Sequence, residues 1–301
     1  MTPVATRVAI RATSWDGALA ETLSGAAERA FADGTHATVH SVHARVVNVL
    51  CGDELIAIAD DGLDDAPATI RVPMAGWDAH GLVAGAAVAV SRTGLVLSSP
   101  AGDIDVRIED APAWLPRLAD LSLVPAESLR AVRACIADGS GRTAPATPFG
   151  RAAATLLAAG VEALRHAVLA GAPDAITAAA RGLLGLGEGL TPTGDDILTG
   201  LAFLAAHPGM RLGAHLPALA AAAADRDATT LLGAVTVRHA VRGRGRQRLH
   251  DLARGIGDGD ADLVELAVMR IREIGHTSGE DILTGIRLAL DLETDLRDGT
   301  R

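Results

Sequence analysis

The sequence predicts an α+β fold, with a β-rich barrel or sandwich domain followed by a mostly α-helical domain. Short Val- and Ile-rich runs separated by Gly- and Asp-bearing turns fill the N-terminal third. After Pro112 these runs stop, and Ala- and Leu-rich segments with helical periodicity continue to the C-terminus. Strands and helices are therefore segregated and do not alternate as they do in a doubly wound sheet. We place the β-rich domain at residues 1–112 and the helical domain at residues 113–301.

The β-rich domain is expected to begin with a helix, because apolar positions recur at helical spacing over residues 16–32. Six short runs with β propensity follow this helix. These runs are residues 39–50, 54–59, 68–72, 86–91, 94–98 and 104–108. Turn signals such as Gly52-Asp53 and Asp61-Gly62 separate them, and hairpins in series are typical of a small barrel or sandwich.

The helical domain shows amphipathic segments broken by Gly and Pro clusters. The predicted helices are residues 126–138, 150–170, 173–184, 194–206, 216–224, 228–242, 246–256, 260–273 and 279–296. The segment 138–148 is rich in Gly, Ser, Thr and Pro, a composition that predicts an exposed loop.

Composition and charge restrict the possible partners. The 301-residue chain has a formal net charge of −10 and only 2% aromatic residues, with no Tyr. An acidic protein with few stacking groups is unsuited to binding nucleic acid. The longest apolar stretches that we identify, residues 81–90 and 216–224, are shorter than the roughly 18 residues needed to span a membrane. We therefore expect neither a nucleic-acid nor a membrane partner.

The cysteine content predicts a reducing, cytoplasmic location. Cys51 and Cys135 are the only cysteines, and the first 23 residues lack the basic start and apolar run of a signal peptide. Neither cysteine stands in a nucleophile motif, so we interpret both as structural.

One phrase occurs twice in the helical domain, at residues 187–200 and again at residues 275–285. Each copy contains a hydroxyl residue, Gly, an acid, Asp, Ile, Leu, Thr and Gly in the same order. A repeated turn-to-helix phrase predicts two similarly built helix starts within one domain. Gly200 and Gly285 lie one helical turn after the second acid, where a small residue lets another backbone or a ligand approach.

A structural role for the phrase is possible. Thr193 and Ser278 stand where an N-cap belongs, and Asp196 and Asp281 follow three residues later. A cap of this kind stabilises a helix start by about 1 kcal/mol. Acids in the first turn also interact favourably with the helix dipole.

A functional role is the alternative. Gly187, Gly189 and Gly194 give the first loop more backbone freedom than a cap needs, so its amides can approach a ligand closely. The phrase lacks the Gly-Lys-Ser/Thr ending of a nucleotide-binding loop. Its carboxylates can accept hydrogen bonds from substrate N–H groups, or they can hold Mg²⁺. The sequence shows no further ligand cluster, so the cofactor stays unknown, with Mg²⁺ as an alternative to direct hydrogen bonding.

Other polar residues are weaker candidates. His276, two residues before Ser278, can act as an acid or a base near neutral pH, or it can simply be exposed. Thr229 and Thr230 open a predicted helix, which they can cap. The run 238–248 carries five arginines that can hold a phosphate, a carboxylate or a partner's acidic face, or form a solvated surface.

In the β-rich domain, Ser41, Arg45 and Asn48 are polar residues on the predicted strand 39–50. Alternation along a strand puts Ser41 and Arg45 on one face and Asn48 on the other unless a bulge intervenes. A solvated sheet face explains these residues as well as a binding site does.

Together these residues resemble a known family. The chain resembles the family that includes the AllH subunit of oxamate carbamoyltransferase. The resemblance rests on the run Gly-Leu-Gly-Glu-Gly-Leu-Thr-Pro-Thr-Gly-Asp-Asp at 185–196, the run Gly-His-Thr-Ser-Gly-Glu-Asp at 275–281, and Ser41, Arg45 and Asn48. The similarity spans most of the chain, and the first run is its most specific part. His43 and Glu280 depart from the pattern, which has an aromatic and a bulky residue there.

The resemblance implies a role in anaerobic allantoin and purine breakdown, where three different subunits convert oxalurate and phosphate to oxamate and carbamoyl phosphate. Carried onto this chain, the candidate catalytic residues are Asp195, Asp196, His276 and Asp281. The candidate substrate-binding residues are Ser41, Arg45, Asn48, Gly187, Gly189, Thr191, Thr193, Gly194, Thr229, Thr230, Ser278 and Gly279.

Three functions are compatible with these features. The first is a subunit of a carbamoyltransferase that binds a small amide or carboxylate metabolite and phosphate, together with two other subunits. The second is a non-catalytic subunit whose phrases only cap helices and whose arginine-rich run 238–248 docks the partners. The third is a Mg²⁺-dependent hydrolase that uses Asp195 and Asp196.

Overall fold

A computed structural model describes residues 7–33, 36–137, 148–225 and 227–299. The chain divides into two compact units, Met1–Pro116 and Arg117–Arg301. The strands lie in the first unit, and the second is helical, so the predicted α+β class is confirmed. The segment 138–147 of the predicted loop lies outside the described residues.

In the described part of the first unit, ten strands form one sheet and a single helix, α1 (Leu19–Asp33), packs with it. The strands are β1 (Arg7–Arg11), β2 (Ser14–Asp16), β3 (Ala37–Val42), β4 (Val46–Cys51), β5 (Glu54–Asp60), β6 (Thr69–Val72), β7 (Ala87–Ser91), β8 (Gly94–Leu97), β9 (Asp103–Arg107) and β10 (Ala113–Trp114). Their order across the sheet is β1-β9-β8-β7-β3-β4-β5-β6-β2-β10.

The sheet is strongly curled. The amide of Ala12 donates to the Arg107 carbonyl of β9 at 2.8 Å, and that of Thr13 donates to the Arg71 carbonyl of β6 at 2.8 Å. Strands β9 and β6 stand near opposite ends of the sheet, yet the consecutive residues Ala12 and Thr13 bond to one of these strands each. The sheet must therefore bend until its ends approach each other. Trp77, the first residue of the short 3₁₀ helix Trp77–His80, is buried in the core of this unit together with Ile56 and Ile70 of the sheet.

The structure corrects the prediction for residues 39–50. This run is a hairpin of β3 and β4, and residues 43–45 form the turn between them. The turn contains neither Gly nor Pro, so the Val-rich pattern hid it. Ser41 and Asn48 are direct cross-strand partners beyond a bulge between Val39 and Ser41, and Arg45 lies in the turn and on neither face of a strand.

The described part of the second unit is a helical assembly. Its helices are α2 (Ala126–Ala137), α3 (Pro148–Leu169), α4 (Pro173–Leu183), α5 (Thr193–Ala205), α6 (Leu216–Ala223), α7 (Leu231–Ala240), α8 (Gln247–Asp258), α9 (Ala261–Arg272) and α10 (Ser278–Asp298). The repeated phrases begin α5 and α10, which pack along each other. Their apolar residues, including Leu201 and Ile286, join one large core.

The two phrases meet at a reciprocal helix crossing. A Cβ added at Gly200 of α5 would lie 2.0 Å from the carbonyl oxygen of Ile282 in α10. A Cβ added at Gly285 of α10 would lie 1.9 Å from the carbonyl oxygen of Ile197 in α5. Each glycine is thus in close contact with the backbone carbonyl of the isoleucine in the other copy of the phrase. The repeated sequence produces an approximately two-fold symmetric crossing in which the backbones touch.

Each repeated helix also packs closely on the helix before it. A Cβ at Gly194 would lie 1.9 Å from the Leu183 carbonyl oxygen at the end of α4. The equivalent Gly279 meets the Ile271 carbonyl oxygen near the end of α9, where a Cβ would lie 2.0 Å away. The duplicated unit is therefore a helix pair, α4–α5 and α9–α10.

Helix α3 corrects the analysis of apolar stretches. Its segment Gly150–Leu169 is long and apolar enough to cross a membrane by length and composition alone. This segment was not apparent from the sequence because alanines dominate it and charged residues interrupt it. Leu164 and Val168 of α3 are buried in the core of the second unit, but only 22% of this segment is buried, so packing in the core does not by itself account for its apolar composition. The absence of a membrane partner stays a prediction.

Candidate active site at the duplicated helix starts

The predicted capping arrangement at the two phrases is wrong. Thr193 and Ser278 are the first residues inside α5 and α10, and the preceding Pro192 and Thr277 make no side-chain cap bond. The Ser278 hydroxyl instead lies 3.0 Å from the Thr191 hydroxyl of the other phrase. This side-chain hydrogen bond joins the two helix starts.

Asp196 lies at this junction, where the hydroxyls of both phrases contact it. It is 2% exposed, and the Thr191 hydroxyl donates to its Oδ2 at 3.1 Å. The Ser278 hydroxyl also bonds to this carboxyl, and the carboxylates of Asp281 and Asp195 act on it electrostatically. Asp281 is likewise 2% exposed. The two equivalent aspartates are therefore buried near each other.

The pKa of Asp196 is raised to about 8, and burial is the main cause; the hydroxyls of Ser278 and Thr191 oppose this shift, and the neighbouring carboxylates of Asp281 and Asp195 contribute to it. Within the described parts of the chain, no cationic side chain is among the groups that act on Asp196. A buried carboxyl without a cationic partner stays protonated because its charged form loses solvation. Asp196 is accordingly a neutral acid at pH 7.

Asp195 has a different role although it is adjacent in sequence. It is 1% exposed; the Gly185 amide donates to its Oδ1 at 3.0 Å, and the Thr229 hydroxyl donates to its Oδ2. A Cβ at Gly233 would lie 2.1 Å from Oδ2, so only glycine leaves room for this carboxyl. Burial raises the pKa of Asp195, and both donors oppose the shift. Asp195 ties the first turn of α5 to the start of α7.

The glycine-rich loop before α5 has the backbone freedom that the sequence predicted. Gly187 and Gly189 have φ values of 119° and 106°, which favour glycine. The Gly194 amide donates to the Leu186 carbonyl at 2.8 Å, so it is not free to bind an oxyanion. Residues 188–190 are exposed at the tip of the loop.

Thr230 caps α7 and holds the loop. Its hydroxyl accepts from the Gly233 amide at 3.0 Å and donates to the Leu190 carbonyl at 2.7 Å. Of the threonine pair, Thr230 therefore forms the cap and Thr229 bonds to Asp195.

The two copies are not equivalent at every position. Glu280, which corresponds to Asp195, forms an ion pair with Arg272 at 2.8 Å. His276 is exposed in the turn before α10, and within the described residues no hydrogen bond or ion pair joins it to Asp196 or Asp281. The buried hydroxyl and carboxyl groups, not the histidine, form the junction.

Three candidates belong to the first unit. Asn48 is buried, and its side-chain amide donates to the Ser41 hydroxyl at 2.9 Å; His43 Nε2 lies 3.2 Å from the same hydroxyl. Arg45 forms an ion pair with Asp60 at 2.9 Å beside the turn. Ser41 and Asn48 are thus brought together, and Arg45 has its own acidic partner.

Among the residues that the structure describes, no group of three or more His, Cys, Asp or Glu side chains is arranged to hold a metal ion. Both carboxylate oxygens of Asp195 already accept protein hydrogen bonds. The sequence did not show that Gly185 and Gly233 accommodate the Asp195 carboxyl, or that Asp195 and Asp196 have different environments. Both features depend on how α7 packs beside α5.

Two family models match the chain. The model for the oxamate carbamoyltransferase subunit AllH matches residues 183–290, and the AllH family N-terminal domain matches residues 11–113. The chain belongs to the AllH family. The first match contains both repeated phrases, and the second covers the curled sheet together with Ser41, Arg45 and Asn48. The AllH family is named as a subunit, which implies partner subunits in a carbamoyltransferase complex. No solved structure matches the chain.

Proposed function

We propose that this chain is the AllH-type subunit of a cytoplasmic complex that converts oxalurate and phosphate to oxamate and carbamoyl phosphate. Two other subunits would complete the complex. In this proposal the junction of Asp196 and Asp281 binds the ureido group of the substrate. The observation that carries the proposal is the buried carboxyl of Asp196, whose pKa is raised to about 8, where the two family phrases meet.

The proposed reaction needs an acid. A phosphate oxygen attacks the ureido carbonyl carbon and forms a new C–O bond, and the C–N bond to the oxamate part then breaks. The electron pair of that bond stays on nitrogen, which is a poor leaving group unless it receives a proton. A carboxyl with a pKa of about 8 holds its proton at neutral pH and can supply it in this step. Asp196 becomes a carboxylate and is reprotonated from solvent before the next turnover.

The neighbouring groups have supporting roles in this proposal. Asp281 accepts a hydrogen bond from a substrate N–H, because carboxylates are strong acceptors. The linked hydroxyls of Thr191 and Ser278 orient the Asp196 carboxyl. Asp195 positions the helix start through its bonds to Gly185 and Thr229.

Substrate access requires the loop 187–190 to move, because Asp196 and Asp281 are both buried. The loop tip is exposed, and its Leu190 side chain is 56% exposed. The hydrogen bond from Thr230 to the Leu190 carbonyl restrains the tip. The two glycines of this loop allow the change in backbone angles.

The cytoplasmic location is part of the proposal and is supported by the cysteines. Cys51 is buried, Cys135 is half-buried, and neither forms a disulfide bond within the described residues. Free thiols are the usual state in a reducing compartment. The Mg²⁺-dependent hydrolase is not favoured, because hydrogen bonds occupy both Asp195 oxygens.

Ligand-dependent thermal unfolding tests the proposed binding site. Oxalurate or oxamate should raise the melting temperature of the wild-type chain, alone or with its partner subunits, because a ligand that binds only the folded state stabilises it. At a ligand concentration one hundred times Kd, the stabilisation is about 2.7 kcal/mol. The shift should be lost in Asp196→Asn.

Asp262→Asn provides the matched control. Asp262 is an exposed acid in the first turn of α9, so the variant makes the same chemical change at an ordinary helix start. It should keep the full ligand-dependent shift. If millimolar oxalurate and oxamate gave no shift in the wild-type chain or in the complex, the proposed site would be wrong.

A further inference from the structure

The first strand of the sheet has a neighbouring strand on one side only. Strand β1 pairs with β9 in parallel, and it stands at one end of the strand order among the residues that the structure describes. The amide of Ala12, directly after β1, donates to the Arg107 carbonyl of β9. Backbone groups alternate between the two sides of a strand. The N–H and C=O groups that point away from β9 are therefore those of Arg7, Ala9 and Arg11.

The same outer edge is paired just beyond the end of β1. The amide of Thr13 points to this side and donates to the Arg71 carbonyl of β6 at 2.8 Å. Strand β6 ends at Val72, and the following Pro73 has no N–H with which to continue the ladder. The chain turns there, because the Met74 amide donates back to the Val72 carbonyl at 2.8 Å. A slot in line with β6 therefore runs alongside β1, and no strand of the described sheet fills it. We call it the β1 slot.

The two faces of β1 differ in chemistry. Ile10 packs against the core of the sheet, so Val8, two residues away, lies on the same inner face. Val8 is nevertheless 52% exposed, so apolar surface is left uncovered beside the slot. On the outer face, the side chains of Arg7 and Arg11 are 54% and 81% exposed. A strand edge of this kind is a template for pairing with another chain.

Arginine is the only charged residue type on β1. Arg7 shares the Asp105 carboxylate with Arg107, at 3.0 and 2.8 Å. Arg11 lies 4.0 Å from Asp110, and these two side chains are 81% and 87% exposed. A strand added to the outer edge would place its side chains about 5 Å from those of β1, and the acids of β9 would lie one strand spacing farther away. Arg7 and Arg11 are therefore the nearest charges for an added strand.

We propose that the β1 slot accepts an extended, acidic segment of a partner subunit, which pairs with β1 as an antiparallel strand. The direction follows from β6, which is antiparallel to β2 and lies in line with the slot. The segment carries acids opposite Arg7 and Arg11 and apolar residues opposite Val8 and Ile10. Main-chain hydrogen bonds provide affinity in such pairing, and the alternating side chains provide specificity. The family is named as a subunit, which implies partner subunits, and these are the source of the segment.

A second copy of this chain is disfavoured as the occupant. Two copies of β1 paired antiparallel about a two-fold axis at Ala9 would set Arg7 of each copy opposite Arg11 of the other. Like charges directly opposite each other destabilise a strand pair. The other end of the strand order is a poor alternative site, because β10 has only two residues. The inference goes beyond the proposed function and does not depend on the chemistry of Asp196.

Binding of a labelled peptide to the full chain tests the β1 slot. The probe is a fluorescently labelled Glu-Val-Thr-Val-Glu peptide with an amidated C-terminus, and the charge-reversed control is Lys-Val-Thr-Val-Lys. Fluorescence anisotropy should show saturable binding of the acidic peptide and binding of the control that is about tenfold weaker or less. Hydrogen exchange measured by NMR should show slower exchange of the Ala9 and Arg11 amides in the complex. The Ile10 amide already faces β9, so its exchange should not change.

Exchange of the charge at Arg11 tests specificity. Arg11→Glu should weaken binding of the acidic peptide about tenfold and strengthen binding of the lysine peptide, because the cross-strand charge changes sign. Arg92→Glu is the matched control, because Arg92 is an exposed arginine of the same unit that directly follows β7, and both affinities should stay as in the wild type. Ala9→Pro removes one outward N–H at an edge, where proline is tolerated. Binding should be lost in this variant while the melting temperature is retained.

Several outcomes would overturn the inference. They are no binding of the acidic peptide at millimolar concentration, equal binding of the two peptides, and unchanged exchange of the Ala9 and Arg11 amides. A dimer of the chain alone that Ala9→Pro dissociates would assign the slot to a second copy. Deletion of residues 1–6 should leave the affinity unchanged, and tighter binding by the shortened chain would assign the slot to the chain's own N-terminus. Asp196→Asn should bind the peptide as the wild type does, so failure of this inference and failure of the proposed function are distinguishable.

Discussion

At the scale of single residues, Asp195 and Asp196 show how strongly environment separates two identical side chains. Asp195 receives donors from Gly185 and Thr229, which fix its position. Asp196 has hydroxyl neighbours and a second buried carboxyl, Asp281, and this environment keeps it protonated. The repeated phrase identified both residues, but their different roles could not be predicted. The partners of Asp195 come from segments far along the chain, and their placement is a tertiary property.

The protonation of Asp196 predicts a pH dependence of stability. The folded state holds a proton up to a pKa of about 8, whereas the unfolded chain releases it near the ordinary aspartate pKa of 3.8. Between these values the folded state binds more protons, so the free energy of unfolding falls as pH rises, by up to about 1.4 kcal/mol per pH unit. The contribution of Asp196 is most favourable below pH 4 and is fully lost above pH 8.

Urea unfolding at pH 5, 6.5 and 8 measures this effect when the wild type is compared with Asp196→Asn. The variant cannot titrate at this position, so its stability should fall less steeply with pH. Asp262→Asn should keep the wild-type slope, because Asp262 is exposed. Parallel curves for the wild type and Asp196→Asn would show that Asp196 ionises normally in the folded state.

At the scale of elements, the duplicated helices are held by backbone contact at glycines. The recurrence of Gly200 and Gly285 predicted that another backbone or a ligand approaches this face, and the structure shows that each meets the carbonyl of the other copy. The long helices were predictable because their periodicity extends over several turns. Strands β2 and β10 were missed because they have only three and two residues, and β1 was missed because it is largely exposed and has no buried apolar face. The turn between β3 and β4 was missed because it lacks Gly and Pro.

Alanine substitutions at the crossing glycines should be strongly destabilising. In Gly200→Ala and Gly285→Ala the new methyl group would collide with a backbone carbonyl, so α5 and α10 must separate. We expect each variant to lose about 1–3 kcal/mol of stability or more. Chemical denaturation of the full chain measures this loss.

Gly182→Ala is the control for helix propensity. Gly182 lies in α4, and a Cβ added there meets nothing within 4 Å. This variant should gain about 0.5–1 kcal/mol, because alanine is the better helix former. Equal effects of all three substitutions would contradict the proposed close crossing.

At the scale of the whole molecule, the chain combines a curled sheet with a helical unit built on a duplicated helix pair. The sequence predicted the two classes of structure and the family, because composition and a repeated phrase are visible without tertiary information. It predicted a barrel or a sandwich without deciding between them, because the approach of the two ends of the sheet depends on the bonds that Ala12 and Thr13 make to strands near each end. The family is named as a subunit, which implies partner subunits, so the proposed function is to be measured with partner subunits present.

The central claim is that Asp196 supplies a proton at the junction of the two helix starts. Its most direct test is the turnover of oxalurate and phosphate by the complete complex containing Asp196→Asn. Asparagine keeps the shape of a protonated Asp but has no acidic proton, so kcat should fall by about 100-fold or more, with the melting temperature near or above that of the wild type at pH 7.5. The Asp262→Asn complex should retain full activity. A complex with Asp196→Asn that turns over at the wild-type rate would contradict the account.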